Sequence, residues 1–283
     1  MSHEGILIEI GGRPALRFER RYPHPIERVW RAITEPSEMA RWFPSNVEGE
    51  RAMGAELTFV DDAQRAAARE AGEPTRADGP PFRGRVVVYD PPKVFAFTWG
   101  TELLRFELRA DGDATVLTFT QLLSHQSIAA RNGSGWHACF AALDALLDAP
   151  APAIDDWRAI YDDYVARMGP ALGVPTADGA MSWERATHVE TDRVRAVTTD
   201  RAELDAWGAG AHANEPVTWD VTATPDGTIY RLTHRSIGND AHLAATWHAL
   251  LLQLDMYLAA GQLLPIDAER WIDAYTNLLV PSS

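Results

Sequence analysis

The stretch SIAARNGSGWHACFAALDALLD, residues 127–148, decides the fold of this chain. Trp136, Phe140, Leu143 and Leu147 recur at i, i+4, i+7 and i+11, which places them on one face of a helix. Burying four side chains of this size stabilises a fold by roughly 6 to 12 kcal/mol before conformational entropy is subtracted. Because the preceding segments alternate as strands do, we expect this helix to lie across a curved antiparallel sheet.

Part of this stretch returns later in the chain. Four residues reappear at a constant offset, and four upstream residues also have counterparts. The first set is Trp136, His137, Leu143 and Asp144, which return as Trp247, His248, Leu254 and Asp255; the second is Arg28, Val29, Glu38 and Trp42, which return as Arg193, Val194, Glu203 and Trp207. The sequence therefore predicts two related units.

The second unit is the shorter one. The distance from Trp42 to Thr115 is 73 positions, whereas the matching distance from Trp207 to Thr228 is 21, so about fifty residues of meander are absent. One early strand, one early helix, a hairpin and a long helix are expected to remain. The predicted organisation is a complete domain over residues 1–168, a linker over 169–180 and a truncated domain over 181–283.

The composition is that of an ordinary soluble globular protein, with 46% hydrophobic and 23% charged residues in 283. The net charge of -14 argues against nucleic acid or an anionic membrane as a partner, because phosphate contact requires a basic patch. Cys139 is the only cysteine, so an intrachain disulfide is excluded and a reducing compartment is favoured. With neither a leader nor a membrane-spanning run predicted, we expect a cytoplasmic protein.

The first unit alternates at period two from Val47 to Gln121, which is typical of an antiparallel meander. It is preceded by a helix with an apolar stripe at Ile26, Val29, Trp30 and Ile33. Residues 61–81 interrupt the meander with a polar stretch of about twenty residues, longer than an ordinary strand connection. A solvated or partly helical excursion is the simpler interpretation, and a lid over a cavity is the alternative.

Several short motifs in the first unit, taken in order, resemble one known family. They are Phe18 to Arg21, Pro25 with Val29-Trp30, Ala32 to Thr34 with Pro36, Ala40 with Trp42-Phe43-Pro44, Tyr89-Asp90-Pro91-Pro92, Phe97-Thr98-Trp99 and Gly135-Trp136-His137. Their order resembles the START and birch-pollen-allergen (SRPBCC) superfamily, and within it the bacterial homologues of the activator of heat-shock protein 90 ATPase. The resemblance covers about residues 17–148 and implies an α+β helix-grip fold, in which a curved antiparallel sheet wraps a long helix.

The resemblance also implies a cavity between the sheet and the long helix. The candidate ligand-binding residues that would line it are Trp30, Phe59, Phe97, Trp99, Phe106, Phe119, Trp136, His137 and Phe140. An empty pocket of about 300 Å³ would cost about 7 kcal/mol, so either side chains fill it or a ligand binds there. Gly133 and Gly135 would admit a ligand beside the helix or allow a bend, and we favour the bend.

Catalytic chemistry has one weak candidate, His137. Asp144 shares its helix face but lies about 10.5 Å along the axis, too far for a hydrogen bond, so a general-base role requires a partner from the sheet. The simpler interpretation is a histidine at the helix edge bonded to a strand. The sequence lacks a metal-binding histidine pair, a phosphate loop and a nucleophile elbow, so no metal or cofactor is predicted.

Three hypotheses follow. The leading one is a non-catalytic protein that holds a small hydrophobic or aromatic molecule in the first unit. The second is a protein-interaction module whose partner is a chaperone or a regulator. The third is an enzyme of the cyclase or hydrolase type that uses the cavity and His137.

Overall fold

The computed structural model describes residues 4–60, 82–151, 154, 156–225, 227–261, 263 and 266–279. The chain divides into two compact units, Met1–Gly169 and Pro170–Ser283. The excursion expected over residues 61–81 lies outside the described residues. Within them, no helix is long and apolar enough to cross a membrane.

The first unit is built on one antiparallel sheet. Its strands are β1 (Ile6–Ile10), β2 (Arg13–Tyr22), β3 (Asn46–Glu48), β4 (Glu56–Val60), β5 (Phe82–Asp90), β6 (Val94–Trp99), β7 (Glu102–Asp111) and β8 (Ala114–Leu122). They are arranged in the order β1-β2-β8-β7-β6-β5-β4-β3. Every neighbouring pair is antiparallel, as the period-two alternation predicts.

The helices of the first unit are α1 (Ile26–Thr34), α2 (Pro36–Met39), α3 (Ala129–Leu146) and α4 (Trp157–Met168). Helix α3 lies on the inner face of the sheet, because the ring of Phe140 is 5.2 Å from those of both Phe18 and Phe119. A long helix held against an antiparallel sheet is the expected α+β helix-grip fold, which is thereby confirmed.

A buried polar contact fixes α3 to the sheet. The hydroxyl of Tyr22 donates a hydrogen bond to Asp144 Oδ1 at 2.9 Å, and Arg20 Nε lies 3.4 Å from Asp144 Oδ2. All three residues are at most 3% exposed. Burial and the Asp144 carboxylate hold the pKa of Tyr22 well above its usual range, so this hydroxyl stays protonated. Asp144 therefore serves the packing of α3 on β2.

The second unit has a smaller sheet of the same kind. Its elements are β9 (Val174–Pro175), β10 (Met181–Thr187), α5 (Thr191–Thr199), α6 (Arg201–Ala206), β11 (Val217–Thr224), β12 (Gly227–His234), α7 (Ala241–Ala260) and α8 (Ile272–Leu279). The strand order is β11-β12-β10-β9. The expected long helix is α7, with Asp240 as its N-cap and Gly261 in a left-handed conformation at its C-cap.

Two details of the second unit differ from the sequence expectation. Two short helices, α5 and α6, stand where one was predicted, because Asp200 ends the first and caps the second by accepting hydrogen bonds from the backbone N–H groups of Ala202 and Glu203. In addition, part of the segment expected as a linker is strand β9, which pairs with β10.

Candidate functional site

The space between α3 and the inner face of the first sheet is occupied by aromatic rings. Phe119 lies at its centre, with its ring centroid 4.5 Å from that of Trp136, 4.9 Å from Phe106 and 5.2 Å from Phe140. Phe97 extends the group, 6.1 Å from Phe106. Rings at these separations touch one another, so this deep part of the interior is filled by side chains.

Further ring contacts define what we call the outer ring group, made of Phe43, Phe59, Trp99 and Trp136. The ring centroid of Phe43 is 5.6 Å from those of Trp99 and Trp136 and 6.3 Å from that of Phe59. Trp99 is half-buried, whereas the other three are at most 5% exposed. The aromatic interior therefore reaches the protein surface at Trp99.

A polar chain lies beside the outer ring group. The indole N–H of Trp136 donates to Gln121 Oε1 at 2.7 Å, which fixes the amide orientation so that Gln121 Nε2 donates to Glu102. The other oxygen of Glu102 accepts from the N–H and the hydroxyl of Ser124. Glu102 pairs with Trp99 across β6 and β7. Side chains of directly opposed residues lie on the same face of a sheet, so this carboxyl faces inward beside the rings.

The environment of Glu102 alters its acidity. Burial raises the pKa of this carboxyl, while the hydrogen bonds from Ser124 and Gln121 and the charge of Arg131 act in the opposite direction without cancelling the shift. The residue is 2% exposed. The outer ring group is thus an apolar surface with one buried acidic group at its edge.

The sequence placed most of these rings correctly in the interior but missed some members. The predicted residues Phe59, Phe97, Trp99, Phe106, Phe119, Trp136 and Phe140 all join the connected set of rings. Trp30 lies farther off, against Tyr89 and Phe95. Phe43, Glu102 and Gln121 were missed. The alternation of the strands could have revealed the two polar residues. Glu102 lies on the same strand face as the inward Leu104 and Phe106, and Gln121 on the same face as the inward Phe119.

His137 is on a different side of α3. Its Nδ1 lies 3.4 Å from the hydroxyl of Tyr164 on α4, and the two rings meet edge to face at 5.9 Å. The Tyr164 hydroxyl also accepts a hydrogen bond from the backbone N–H of Gly5. The structure thus gives His137 a partner on helix α4, where the sequence led us to expect one on a strand.

The same helix contact explains Gly133. A Cβ at this position would lie 2.5 Å from the ring of Tyr164, so a larger residue would force α3 and α4 apart. Gly135 has open space at the corresponding point. At Gly133 the glycine therefore allows close packing of two helices, where we had expected it to allow a bend.

Cys139 has no sign of a reactive thiol. The residue is half-buried, and desolvation of the thiol raises its pKa to about 12. A thiolate is the nucleophilic form of cysteine, so this shift opposes reactivity.

The second unit carries a carboxylate in a similar place. The indole N–H of Trp247 donates to Glu215 Oε2 at 2.8 Å, and His234 Nε2 lies 2.9 Å from the same oxygen. Glu215 Oε1 is in contact with His212 Nδ1. Burial by itself would raise the pKa of Glu215, but hydrogen bonds from His212, Trp247 and His234 together lower it. Within the described ranges, no cluster of three or more His, Cys, Asp or Glu side chains is arranged to hold a metal ion.

Comparisons with solved structures return proteins of similar size to the first unit. CalU16 from Micromonospora echinospora is 17% identical, with 58% of this chain and 92% of that protein covered and a TM-score of 0.42. A conserved protein of unknown function from Enterococcus faecalis, EF2215, is 18% identical over 57% and 88%, with a TM-score of 0.45. The Bordetella parapertussis protein encoded by BPP1335 is 28% identical over 59% and 92%, with a TM-score of 0.44. No curated protein matches the chain significantly.

A family model covers most of the first unit. Residues 23–148 match the model described as Activator of Hsp90 ATPase homolog 1-like protein, and these residues contain α1, the sheet from β3 to β8, and α3. The matched segment also holds the outer ring group, Glu102 and Gln121. Over residues 23–148 the chain is therefore similar to the Activator of Hsp90 ATPase homolog 1-like family.

Proposed function

We propose that the first unit binds a small aromatic or hydrophobic molecule at the outer ring group without transforming it. The observation that supports this proposal is the half-buried Trp99. Its ring contacts the three buried rings of the outer ring group, and the inward carboxyl group of Glu102 lies beside it. Small-molecule sites are mostly apolar and carry a few polar groups that fix orientation. The outer ring group and Glu102 have this composition.

The position of the ligand follows from the packing. The deep rings around Phe119 contact one another, so the ligand stacks at the Trp99 end, where the aromatic interior meets the surface. Hydrogen bonds from Gln121 and Ser124 hold the Glu102 carboxyl group at this end, which places polar oxygen atoms at the edge of the rings. The ligand class with the best fit is therefore a flat apolar ring with one hydrogen-bond donor.

Calorimetric titration of the full chain with 1-naphthol and with naphthalene tests this proposal. We expect 1-naphthol to bind more tightly, since only it carries a donor. Replacing Trp99 by alanine removes an aromatic contact and its apolar area, and should weaken binding by about tenfold or more. Native mass spectrometry of freshly purified protein should show an added mass from any ligand retained from the cell.

The matched control is Trp219→Ala, which removes another half-buried tryptophan from a strand, β11, of the second unit. This variant should bind 1-naphthol as the unaltered protein does. Absence of heat with both probes, together with a bare mass in the native spectrum, would reject the proposed site. An equal loss of binding in the two variants would show that the ligand does not sit at Trp99.

A second candidate function is interaction with a chaperone or a regulator protein. The family whose model matches residues 23–148 is named after the activation of a chaperone ATPase, and the first unit exposes a large apolar side chain, Met53, at 75%. Adding the full chain to a purified chaperone ATPase should change its rate of hydrolysis, and Met53→Lys should diminish that change. An unaltered rate at saturating protein would exclude this role.

A further inference from the structure

Strand β1 forms one edge of the eight-stranded sheet and has an unusually apolar sequence for an edge. Its residues are Ile6, Leu7, Ile8, Glu9 and Ile10, and β2 is its only neighbour in the strand order. Ile6 is 53% and Ile10 42% exposed. Open edges normally carry lysine, proline or a bulge that blocks pairing with another strand. The five residues of β1 include no lysine, proline or bulge, and Glu9 is their one charged residue.

The outward hydrogen-bonding groups of β1 can be identified from its hairpin with β2. Pro14 lies opposite Glu9, has no N–H, and gives its carbonyl to Leu123. The backbone N–H and C=O groups of β1 that bond to β2 are therefore those of Ile6, Ile8 and Ile10. The N–H and C=O groups of Leu7 and Glu9 point away from the sheet.

We propose that the β1 strands of two copies of this chain pair antiparallel and join their sheets, with the two-fold axis at Ile8. In this register Leu7 exchanges both backbone hydrogen bonds with Glu9 of the second copy, and Glu9 with Leu7 of the second copy. Ile8 faces its own counterpart, and Ile6 faces Ile10 of the second copy. The three isoleucines of each strand lie on one face, so the pairing creates one apolar row of six.

The charges on the strand agree with this register. Glu9 faces a leucine and not the second glutamate, so no like charges are opposed. The pairing also ends at a natural limit. Gly11 of the second copy comes opposite Gly5, whose N–H already donates to the Tyr164 hydroxyl and whose C=O accepts from Arg167. A glycine at this place brings no side chain against α4.

The other described sheet edges are less suited to self-pairing. Strand β3 has only three residues, and β9 has two, one of which is Pro175. Strand β11 carries the exposed Asp220 near its middle, so pairing centred there would oppose two carboxylates. Among the described edges, β1 alone combines length, apolar side chains and a register without charge conflict.

The expected dimer is weak. A stable interface buries about 800 Å² on each partner, which is more than a strand of five residues provides. The net charge of -14 on each copy also opposes association. We therefore expect a monomer at low concentration and a dimer near the upper end of the micromolar range.

Cysteine crosslinking tests both the interface and its register. Residues that face each other in a non-hydrogen-bonded pair have Cα atoms about 4.5 Å apart, within the range of a disulfide. Under mild oxidation Ile8→Cys should form a covalent dimer. Ile6→Cys alone should not, because its two copies would lie about 13 Å apart along the strands, whereas a mixture of Ile6→Cys with Ile10→Cys should crosslink. The unaltered protein is the control for Cys139.

Sedimentation of uncrosslinked protein provides a second test. Ile8→Lys places two charges at the two-fold axis and should weaken association by about tenfold or more. Val174→Lys is the matched control, since Val174 is a 63% exposed apolar residue on the β9 edge. Loss of the dimer in Ile8→Lys but not in Val174→Lys supports the proposal. A monomer at every concentration, a dimer that Ile8→Lys leaves intact, or equally fast crosslinking of Ile6→Cys alone would overturn it.

Discussion

Glu215 of the second unit accepts a hydrogen bond from an indole N–H directly, whereas Glu102 of the first unit is linked to one through Gln121. The two carboxyl groups nevertheless differ in acidity. Glu102 contacts an amide and a serine, and its pKa is raised by burial. Glu215 contacts two imidazoles and an indole, and its pKa is lowered. The comparison shows that the groups which replace water around a carboxylate decide the direction in which its pKa shifts.

The buried ion pairs give a second comparison. Arg185 and Asp255 of the second unit are arranged like Arg20 and Asp144 of the first, with Arg185 Nε 3.6 Å from Asp255 Oδ2. The hydroxyl bonded to Asp255 comes from Tyr230 on β12, whereas Tyr22 lies on β2, the strand of Arg20. The contact is alike although its tyrosine comes from a different strand. We propose on this basis that the second unit is a shortened copy of the first.

The largest expected effect is at this ion pair. Asp144→Asn should lower the free energy of unfolding by about 3 to 5 kcal/mol, because it removes the buried carboxylate that pairs with the Arg20 guanidinium. Asp255→Asn should cost less, since the Asp255 side chain is 15% exposed and that of Asp144 1%. Urea unfolding followed by tryptophan fluorescence measures both. Equal losses would show that exposure does not distinguish the two pairs.

The glycines of α3 give the next largest effect. Gly133→Ala should destabilise the protein by about 1 to 2 kcal/mol, because the added methyl group meets Tyr164 and this outweighs the better helix propensity. Gly135→Ala should stabilise it by about 0.5 to 1 kcal/mol, since that position is open. The second unit has Ala244 and Thr246 at the matching offsets. Thermal unfolding of the pair provides the measurement, and a stabilised Gly133→Ala would contradict the close contact.

The two carboxylates should respond to pH in opposite directions. The folded protein holds a proton on Glu102 more tightly than the unfolded chain does, so stability from this group falls as pH rises from its ordinary pKa of 4.5 through the raised value. For Glu215 the contribution is present above about pH 4.5 and is lost as pH falls through the lowered pKa.

Unfolding titrations at several pH values, with Glu102→Gln and Glu215→Gln as reference variants, isolate each contribution. The stability of the unaltered protein relative to Glu102→Gln should decrease with rising pH, and relative to Glu215→Gln it should increase. Two slopes of the same sign would refute the difference in environment.

The last comparison concerns Cys139, whose counterpart at the repeat offset is Leu250. A pKa of about 12 in place of 9.0 means about a thousandfold less thiolate at pH 8. Because a thiol of higher pKa forms a more nucleophilic thiolate, part of this difference is offset, and the folded protein should react with iodoacetamide about ten to a hundred times more slowly than the same protein in urea. A comparable rate in the two states would show an accessible thiol.

The fold of the first unit was largely predictable, because period-two and period-3.6 patterns report which side of a strand or helix is apolar. The stripe of Trp136, Phe140 and Leu143 predicted both α3 and the sheet beneath it. The Glu102–Gln121 contact was harder to predict, since its members lie on separate strands and meet only through the register of β7 and β8. His137 was assigned a strand partner because the path of α4 is not encoded in the helix on which His137 lies.

The sequence by itself determined the elements, their order and the apolar face of each long helix, since these depend on neighbours a few residues apart. Only the tertiary structure decided which polar groups meet in the interior. The register of the sheet set Gln121 between Trp136 and Glu102, and the packing of α4 set Tyr164 against Gly133 and His137. Contacts of this kind depend on angles and distances between distant segments, and local periodicity carries no record of them.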